Sequence, residues 1–300
     1  MMGMLDFFRL RFIEPQASQV SEEKLLASLM TMAWVVEARD PYTGGHLWRV
    51  SRFSRMLAQH ADLAELDVSR IAIGGFLHDL GKVGIPDAIL GKKDRLTDEE
   101  YEVIKTHPEV GKRLLSGHPL AALAMDAVYG HHETPDGRGY PLGLKQEQIP
   151  DVARIIGICD AFDAMTSTRP YRKGMPVEKA MGIIRENLGR QFDGEFGELF
   201  TLLGDAEELN HIVGHSDEGI PLMECLMCGP TVVVTRDART NDIVYCRACG
   251  GEYKLEKDGG HLQIAPTGGK GAAAALEPTP DDELIARLVR ESAKAARAVL

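Results

Sequence analysis

The chain has 300 residues, of which 44% are hydrophobic and 26% are charged, a composition typical of a globular protein with a buried core. Its formal net charge of −11 argues against non-specific binding to nucleic acid or to an anionic membrane surface. A phosphate-bearing ligand would therefore have to be held by local cations or by metal ions.

Neither a membrane span nor an export signal is predicted. The longest apolar run, residues 25–36, contains Ser28 and Thr31 and is too short to cross a bilayer. The apolar residues 1–12 lack the small-residue cleavage site of a secretory signal. We therefore expect a cytoplasmic protein whose residues 1–20 form a short amphipathic arm.

Residues 21 to about 203 show mostly helical patterns. Ser21 precedes two glutamates and an apolar run, as at a capped helix start, and Thr97 precedes three acidic residues in the same way. Pro176 opens a third predicted helix, in which apolar residues recur at spacings of three and four. Two glycine-rich stretches beside histidines, residues 40–45 and 134–143, interrupt the helices, and such loops often carry function.

From about Glu218 the composition changes. The β-branched run at residues 231–235 is typical of a strand, and residues 242–245 are predicted to be its partner. A stretch rich in glycine, alanine and proline then predicts a flexible linker before a final helix. The predicted order is an N-terminal arm, a helical domain, a small β module, the linker and a C-terminal helix, over residues 1–20, 21–217, 218–258, 259–280 and 281–300.

The distribution of histidine and aspartate indicates a metal centre. Five of the ten histidines lie in helical or glycine-rich context beside other polar residues: His46, His78, His107, His131 and His132. Asp79 follows His78 directly, and Asp160 lies in a second apolar run, where a carboxylate is costly to bury without a partner. Imidazole and carboxylate suit first-row transition metals, and Asp79 can bridge two ions. A single such histidine is more often a satisfied core residue, but the whole set favours metal.

The chain from about Glu37 to Phe192 resembles the HD-GYP family, a branch of the HD phosphohydrolases. The naming triplet Gly139-Tyr140-Pro141 is intact, and the resemblance rests on five segments: Glu37-Ala-Arg-Asp-Pro-Tyr-Thr-Gly-Gly-His46, Leu77-His-Asp-Leu-Gly-Lys-Val-Gly-Ile-Pro86, Ile104-Lys-Thr-His-Pro108, His131-His-Glu-Thr-Pro-Asp-Gly-Arg-Gly-Tyr-Pro141 and Asp160-Ala-Phe-Asp-Ala-Met-Thr-Ser-Thr-Arg-Pro-Tyr-Arg172. The resemblance implies a mainly α fold, a helical bundle with a metal cluster between its helices. By position it implies seven metal ligands: His46, His78, Asp79, His107, His131, His132 and Asp160.

The resemblance also implies a metal-dependent phosphodiesterase that hydrolyses the 3′–5′ bond of cyclic di-GMP to pGpG, and it leaves open a second cut to GMP. A hydroxide bridging two metals, Fe or Mn, would attack phosphorus, with Asp79 as the bridging carboxylate. Lys82 would stabilise charge on a non-bridging oxygen. Tyr140 would pack on a guanine or bind a phosphate, and a ring that fixes the loop is an equal alternative. The other implied substrate contacts are Gly139, Pro141, Arg169 and Arg172.

The expected number of metals depends on the first glycine-rich loop. Some members of the family have a carboxylate that helps to hold a third metal where this chain has Tyr42. Tyrosine replaces it poorly, so we expect two metals. The nearby acids Glu37 and Asp40 would challenge this count as ligands, but we favour the alternative that they cap a helix and order the loop.

Four of the five cysteines form two C-x-x-C pairs, Cys225 with Cys228 and Cys246 with Cys249. In a chain without an export signal this spacing predicts one structural zinc ion in a ribbon rather than disulfides. Acidic and basic residues balance across the ribbon, which does not indicate nucleic-acid binding. A contact with a protein partner, through the ribbon or the C-terminal helix, is the favoured role, and a stabilising appendage is the alternative.

Two other functions compete with the phosphodiesterase. A degenerate HD-GYP protein would bind a cyclic dinucleotide or a partner without turnover, but no implied ligand is missing. A different HD phosphohydrolase acting on nucleotide monophosphates is disfavoured by the Gly139-Tyr140-Pro141 loop and by Arg169-Pro-Tyr-Arg172. The choice between cyclic di-GMP and a mixed cyclic GMP–AMP is not encoded in these residues.

Overall fold

The computed structural model describes residues 14–40, 43–92, 94–168, 172–229, 231–259, 261–277 and 279–297. A large helical body comes first, short strands follow, and a helix ends the described chain. One hydrophobic core fills the helical body, and a second, smaller core lies within the β module. The predicted fold class, mainly α with a small β module and a C-terminal helix, is confirmed.

The helical body is built around a buried aromatic cluster. Phe53, Phe162 and Phe200 meet edge to face, with ring centroids 5.1 to 6.3 Å apart. The helices of this body are α1 (Glu14–Glu37), α2 (His46–His60), α3 (Glu65–Leu77), α4 (Asp87–Leu90), α5 (Asp98–Ile104), α6 (His107–Leu115), α7 (Ala121–Gly130), α8 (Asp151–Thr166), α9 (Val177–Glu186) and α10 (Gly194–Asp205).

Two of the three predicted helix starts are confirmed. Thr97 caps α5 through a reciprocal pair of bonds, in which its hydroxyl accepts from the Glu100 amide at 3.2 Å and its amide donates to the Glu100 carboxylate at 2.7 Å. Pro176 precedes α9 as predicted. These starts depend on contacts three residues apart, which is why the sequence alone predicted them.

The predicted start of the first helix at Ser21 is wrong, because α1 already begins at Glu14. Pro15 lies in the first turn, where its fixed φ favours a helix and its missing N–H costs nothing. The predicted arm over residues 1–20 is therefore too long, and its first 13 residues lie outside the described part of the chain.

The β module consists of short hairpins followed by a longer one. Its strands are β1 (His215–Asp217), β2 (Ile220–Pro221), β3 (Met223–Glu224), β4 (Thr231–Val232), β5 (Ile243–Tyr245), β6 (Gly251–Asp258) and β7 (His261–Lys270). β1 pairs with β2 and β3 with β4, while β6 is central between β5 and β7 in an antiparallel sheet. The two predicted strands are therefore not partners of each other, because each C-x-x-C knuckle turns the chain back into its own hairpin.

The predicted flexible linker over residues 259–280 is wrong for its first half. β7 pairs with β6 from His261 opposite Asp258 to Lys270 opposite Gly251. Leu262 and Ile264 alternate along β7 and pack against the small core. Burial of these side chains outweighs the flexibility that the surrounding glycine, alanine and proline suggest. The domain boundary at residues 217/218 stays a prediction.

The C-terminal helix is present as predicted, as α11 (Asp282–Arg297), but it belongs to the helical body. It contacts α1 and α3, and four of its side chains lie in the large core: Leu284, Ile285, Leu288 and Val289. On its outer side Arg52 binds Glu291 at 2.8 Å. Within the described residues, no helix has the length and apolar character that crossing a membrane requires.

Candidate metal centre and substrate cavity

The predicted metal ligands converge because most of them stand at helix ends that point to one place. His46 is the first residue of α2 and His107 the first of α6. His78 follows the last residue of α3, and His131 follows the last residue of α7. Asp160 extends from α8.

Two groups of ligand atoms face opposite sides of one carboxylate. Asp79 Oδ2 lies 3.5 Å from His46 Nε2 and 3.4 Å from His78 Nε2, while its Oδ1 lies 3.5 Å from His107 Nε2. His131 and His132 complete the second group, whose ligand atoms all lie within 4.8 Å of one another. A carboxylate with one oxygen toward each group has the arrangement of a bridge between two metal positions.

Asp160 lies with the first group. Its Oδ1 is 3.4 Å from His46 Nε2 and 3.8 Å from His78 Nε2. The structure thus brings all seven predicted ligands together from five helices or their ends. The ligand roles themselves stay a prediction.

The imidazoles are held so that one nitrogen is free for a metal. A backbone carbonyl accepts a hydrogen bond at 2.8 Å from Nδ1 of three rings, namely His78, His107 and His131. A carbonyl has no proton to give, so Nδ1 carries the hydrogen and Nε2 of the neutral ring keeps its lone pair. Such an outer bond fixes the tautomer in metal-binding histidines.

The arrangement fits metal ions and leaves polar atoms unsatisfied without them. His78 Nε2 is buried and has no hydrogen-bond partner among the described residues. Nε2 of His107 and Nε2 of His131 lie 3.2 Å apart, with their lone pairs toward each other. This contact is repulsive unless a cation lies beside both nitrogens. Because an unpaired buried polar group costs about 1–3 kcal/mol, a bound cation is the simplest way to satisfy the cluster.

Burial and charge divide the histidines into two classes. Burial lowers the pKa of His107 to about 4 and that of His132 to about 3, so both rings are neutral at pH 7. Burial also acts to lower the pKa of His46, but bonds to Asp163 and Asp79 outweigh it and raise the pKa to about 9. Neutral rings are ready to coordinate, and the carboxylates around His46 favour a positive charge at its Nε2.

Asp79 is ionised although it is buried. Burial opposes the charge, but the Lys82 ammonium and a hydrogen bond from His46 outweigh it and hold the pKa of Asp79 well below its usual range. Lys82 Nζ donates to Asp79 Oδ2 at 2.6 Å. The predicted catalytic lysine is therefore at the metal centre, on the side of the first histidine group.

A cavity of about 600 Å³ opens beside the second histidine group. The Tyr140 ring stacks on His132 with a centroid distance of 4.6 Å and an interplanar angle of 28°. Lys105 Nζ lies 5.5 Å from the centre of the Tyr140 ring. Other polar side chains line the outer wall: Tyr101, Asp136, Arg138, Asn187, Arg190 and Gln191.

The family of the chain follows from its sequence. The HD domain family model matches residues 30–196, more than half of the chain, and the match contains all seven residues of the cluster. The chain belongs to the HD domain family. The resemblance to its HD-GYP branch is likewise confirmed, and HD domains bind divalent metals.

Three known proteins illustrate the likeness. A cyclic di-GMP phosphodiesterase of Thermotoga maritima is 39% identical over 184 residues, 61% of this chain and 50% of that protein. A 3′3′-cGAMP-specific phosphodiesterase of Vibrio cholerae is 37% identical, over 54% of this chain and 35% of that protein. The solved structure of an HDG"Y"P protein from Bdellovibrio bacteriovorus has 19% identity and a TM-score of 0.45, covering 63% of this chain and 62% of the other. This chain spans half or less of the curated relatives it matches.

The predicted substrate residues of the HD domain have separate outcomes. Gly139 and Tyr140 line the cavity, and Pro141 follows them outside its lining. A Cβ on Gly139 would lie 2.4 Å from the Thr134 amide nitrogen and 2.5 Å from the His132 carbonyl, so only glycine lets this loop approach His132. Arg172 donates to the carbonyls of Met165 and Ala164 near the end of α8 and does not line the cavity, so its predicted substrate contact stays a prediction.

Two predicted positions, Arg169 and Tyr42, lie outside the described residues. Their predicted contact with substrate and predicted inability to hold a third metal therefore stay predictions. The nearby Glu37 accepts a hydrogen bond from the Leu47 amide at 2.9 Å, and burial raises its pKa. This bond caps the start of α2, so Glu37 has the capping role that we favoured over a role as a metal ligand.

A buried ion pair behind His46 was not predicted. Asp163 Oδ2 accepts from His46 Nδ1 at 2.8 Å, and Asp163 Oδ1 binds Arg49 Nε at 2.5 Å. Arg49 and Asp163 are 2% and 1% exposed, so each is buried because the other compensates its charge. The sequence does carry a signal, since each of the two lies three residues after a predicted ligand, on the same face of its helix.

Glu133 was also missed, although it follows His132 directly. Its two carboxylate oxygens accept from the amides of Leu142 at 2.6 Å and Leu144 at 2.8 Å. The side chain is buried. Glu133 thereby ties down the loop that carries Tyr140. A charged residue next to a predicted ligand was the available signal.

The four paired cysteines form a second group that can hold a metal. Their sulfurs lie 3.5 to 3.6 Å apart, from Cys225 to Cys228 and Cys249 and from Cys228 to Cys246. A tetrahedron with metal–sulfur bonds of about 2.3 Å has edges of about 3.8 Å, so the spacing fits one zinc ion. The cysteines are free thiols in the structure rather than disulfides.

Tyr253 supports the cysteine group from within the small core. Its hydroxyl lies 3.0 Å from Cys225 Sγ, and the ring is fully buried. Burial acts to raise the pKa of Cys225, but hydrogen bonds from Tyr253 and from backbone amides lower it to about 6. Cys225 thus favours the thiolate, which is the form that binds zinc.

Proposed function

We propose that this chain is a metal-dependent phosphodiesterase that hydrolyses a cyclic dinucleotide, with cyclic di-GMP as its first substrate. One observation carries the proposal: Asp79 turns one oxygen toward each of two histidine groups, beside a cavity of about 600 Å³. Volumes of this order bind small organic ligands. The Thermotoga maritima relative is named for this substrate, whereas the Vibrio cholerae relative is named for 3′3′-cGAMP.

By this proposal His46, His78 and Asp160 would hold one metal, the second histidine group would hold another, and Asp79 would offer one oxygen to each. Fe or Mn would supply Lewis acidity toward the phosphodiester and a nucleophile at neutral pH. Lys82 keeps Asp79 ionised and adds a positive charge where the reaction builds up negative charge. The carbonyls behind His78, His107 and His131 keep Nε2 of each ring in place and free of a proton.

The cavity wall would bind the rest of the dinucleotide. Tyr140 offers an aromatic face for a purine, and it is positioned by its stacking on His132. Lys105 and Arg190 bring positive charge to the cavity of a chain whose net charge is −11. Asn187 and Gln191 offer amide groups for the edges of a base.

For the ribbon we propose one structural zinc ion on Cys225, Cys228, Cys246 and Cys249. The sulfur spacing supports it, and so does the small size of the core that surrounds the group. A protein partner of the ribbon stays a prediction. Its first knuckle is where we expect one to bind, because Leu226 and Met227 are 68% and 64% exposed.

The test is turnover of cyclic di-GMP by full-length protein purified anaerobically with iron or manganese, followed by separation of the products. Asp79→Ala, which removes the shared carboxylate, serves as the inactive control, and metal content is measured for both proteins. We expect linear pGpG from the wild type and none from the variant. A time course then tells whether GMP follows.

The same assay with 3′3′-cGAMP compares the two substrates that the relatives' names suggest. A higher kcat/KM for cyclic di-GMP supports the proposal, and a higher value for 3′3′-cGAMP replaces the substrate while keeping the reaction. No product from either substrate at full metal occupancy would overturn the phosphodiesterase proposal and favour a binding protein.

A further inference from the structure

The loop directly before His46 is packed against the C-terminal part of the chain. Gly45, whose φ is +73°, lies so close to β1 that an added Cβ would be 2.5 Å from the Ser216 Cα. Arg49 Nη1 donates to the carbonyl of Gly44 at 3.0 Å and to that of His215 at 2.8 Å. One guanidinium therefore joins β1, this loop and, through Asp163, the ring of His46.

The second zinc knuckle reaches the same region from another side. Arg247, which lies between Cys246 and Cys249, stacks over Trp34 of α1 with its guanidinium carbon 5.4 Å from the ring centre. It lines a cavity of about 50 Å³ together with Glu37 and Gly45. Burial lowers the pKa of Arg247, and the negative charge of Glu37 acts in the opposite direction.

Glu37 connects this contact to the metal centre. Its carboxylate accepts from the Leu47 amide at 2.9 Å and so fixes the first turn of α2, which begins with His46. Arg247 and Glu37 line the same small cavity, so the guanidinium packs on the side of Glu37 from which its carboxylate is held toward the Leu47 amide. The knuckle thus acts on His46 through Glu37, while β1 acts on it through Arg49.

We propose that Arg247 is a positioning residue for the metal centre, and that it reaches its place over Trp34 when the four cysteines hold zinc. The inference rests on the proposed function and on the proposed zinc ion. The backbone of Arg247 is fixed by the two cysteines that flank it, so loss of the zinc ion releases the side chain. The ribbon then helps to fix the position of His46 and thereby the metal affinity of the HD site.

The expected effect is moderate, because Arg247 touches no ligand directly. Outer contacts that orient metal ligands typically change metal affinity by about 10- to 100-fold. Arg247 acts only through its cation–π contact with Trp34 and its position beside Glu37, so its effect on metal affinity should be at the lower end of that range. We therefore expect Arg247→Ala to weaken metal binding at the HD site about 10-fold, and kcat to fall with little change in KM.

The experiment compares Arg247→Ala and Arg247→Lys with Arg239→Ala, a matched control that removes an exposed arginine from the same ribbon. Full-length protein containing zinc but freed of the HD-site metal is titrated with Mn²⁺, and bound Mn²⁺ is measured by electron paramagnetic resonance. Zinc content and cyclic di-GMP turnover are measured on the same samples. Arg247→Lys keeps a cation over Trp34 and is expected to recover most of the affinity.

Mn²⁺ binding tests the inference even if cyclic di-GMP proves not to be the substrate. Weaker Mn²⁺ binding in Arg247→Ala, at full zinc content and with recovery in Arg247→Lys, would support it. Binding equal to that of the wild type and of Arg239→Ala would overturn it. Should Arg247→Ala lose its zinc, Trp34→Phe decides instead, since it leaves the ribbon unchanged and weakens the stacking. Mn²⁺ affinity unchanged in Trp34→Phe would then refute the inference.

Discussion

The two groups of metal-binding side chains are built in opposite ways. The side chains of the HD cluster come from helices that are far apart in the sequence. Those helices also share a large apolar core, which can hold them together without a metal. The cysteine group draws its ligands from two neighbouring hairpins, and its core holds few side chains besides the cysteines themselves. The helical body should therefore fold without a metal at the HD cluster, whereas the ribbon should need its metal to fold.

Because of this difference, changes at the two sites should have different effects on protein stability and on turnover. At the HD cluster, a bound metal would compensate buried polar atoms that the helices have already brought together. At the ribbon, a bound zinc ion would hold together hairpins that bury too little apolar surface to be stable alone. We therefore expect changes at the HD cluster to affect turnover more than folding, and changes at the ribbon to affect folding first.

The largest effect is expected from Asp79→Asn, which keeps the shape of the side chain but removes the charge that both histidine groups share. Loss of several kcal/mol of transition-state stabilisation predicts a fall in kcat of about 1000-fold or more. The melting temperature should fall only modestly, because Lys82, which loses its charged partner, is partly exposed to solvent. Kinetics and differential scanning calorimetry check both, with the exposed Asp94→Asn as control. Turnover close to the wild type would contradict the bridging role.

Chelation sharpens the comparison directly. Structural zinc contributes about 10–16 kcal/mol of apparent folding free energy in small zinc modules, so its removal should unfold the ribbon. Residues 223–258 should become sensitive to protease, while the far-ultraviolet circular dichroism of the helices changes little. Mass spectrometry of the fragments locates the cuts. Cuts throughout the helical body at the same chelator concentration would show that the two regions do not differ.

A smaller effect is expected behind His46. Asp163→Asn weakens the bond to His46 Nδ1 and leaves the buried Arg49 without its counter-ion. Metal affinity at the HD site should fall about 10- to 100-fold, which Mn²⁺ titration measures. Ser167→Ala is the control, because its hydroxyl lies 3.3 Å from the same carboxylate without a ligand role. Equal affinity in the two variants would mean that Asp163 serves packing alone.

The smallest effect is expected at Glu133, which holds the Tyr140 loop rather than a metal. Glu133→Gln removes the charge from two hydrogen bonds to backbone amides, each worth about 1.5–3 kcal/mol when charged. A looser loop should raise KM about 10-fold and leave kcat within about threefold. Steady-state kinetics check this beside Glu147→Gln, an exposed glutamate next to the same loop. A fall in kcat without a change in KM would place Glu133 in the chemistry instead.

Much of this protein could be predicted from its sequence. The capping box at Thr97, the helix after Pro176 and the two cysteine pairs depend on residues a few positions apart. The metal cluster was predicted because chemistry limits which side chains bind metals, and because the motif order resembles that of a known family. Such features depend on local geometry and on residue type, and both can be read from the sequence alone.

The rest depended on contacts between distant segments. β7 forms where composition predicted a linker, because β6 offers a partner and the small core accepts Leu262 and Ile264. Arg172 donates to the carbonyls near the end of α8, a contact that its motif did not predict. Arg247 stacks over Trp34, although most of the helical domain lies between them in the sequence. The sequence by itself determined which groups can bind metals, whereas tertiary structure decided which neighbours they have, because pairing energy depends on partners that no local pattern contains.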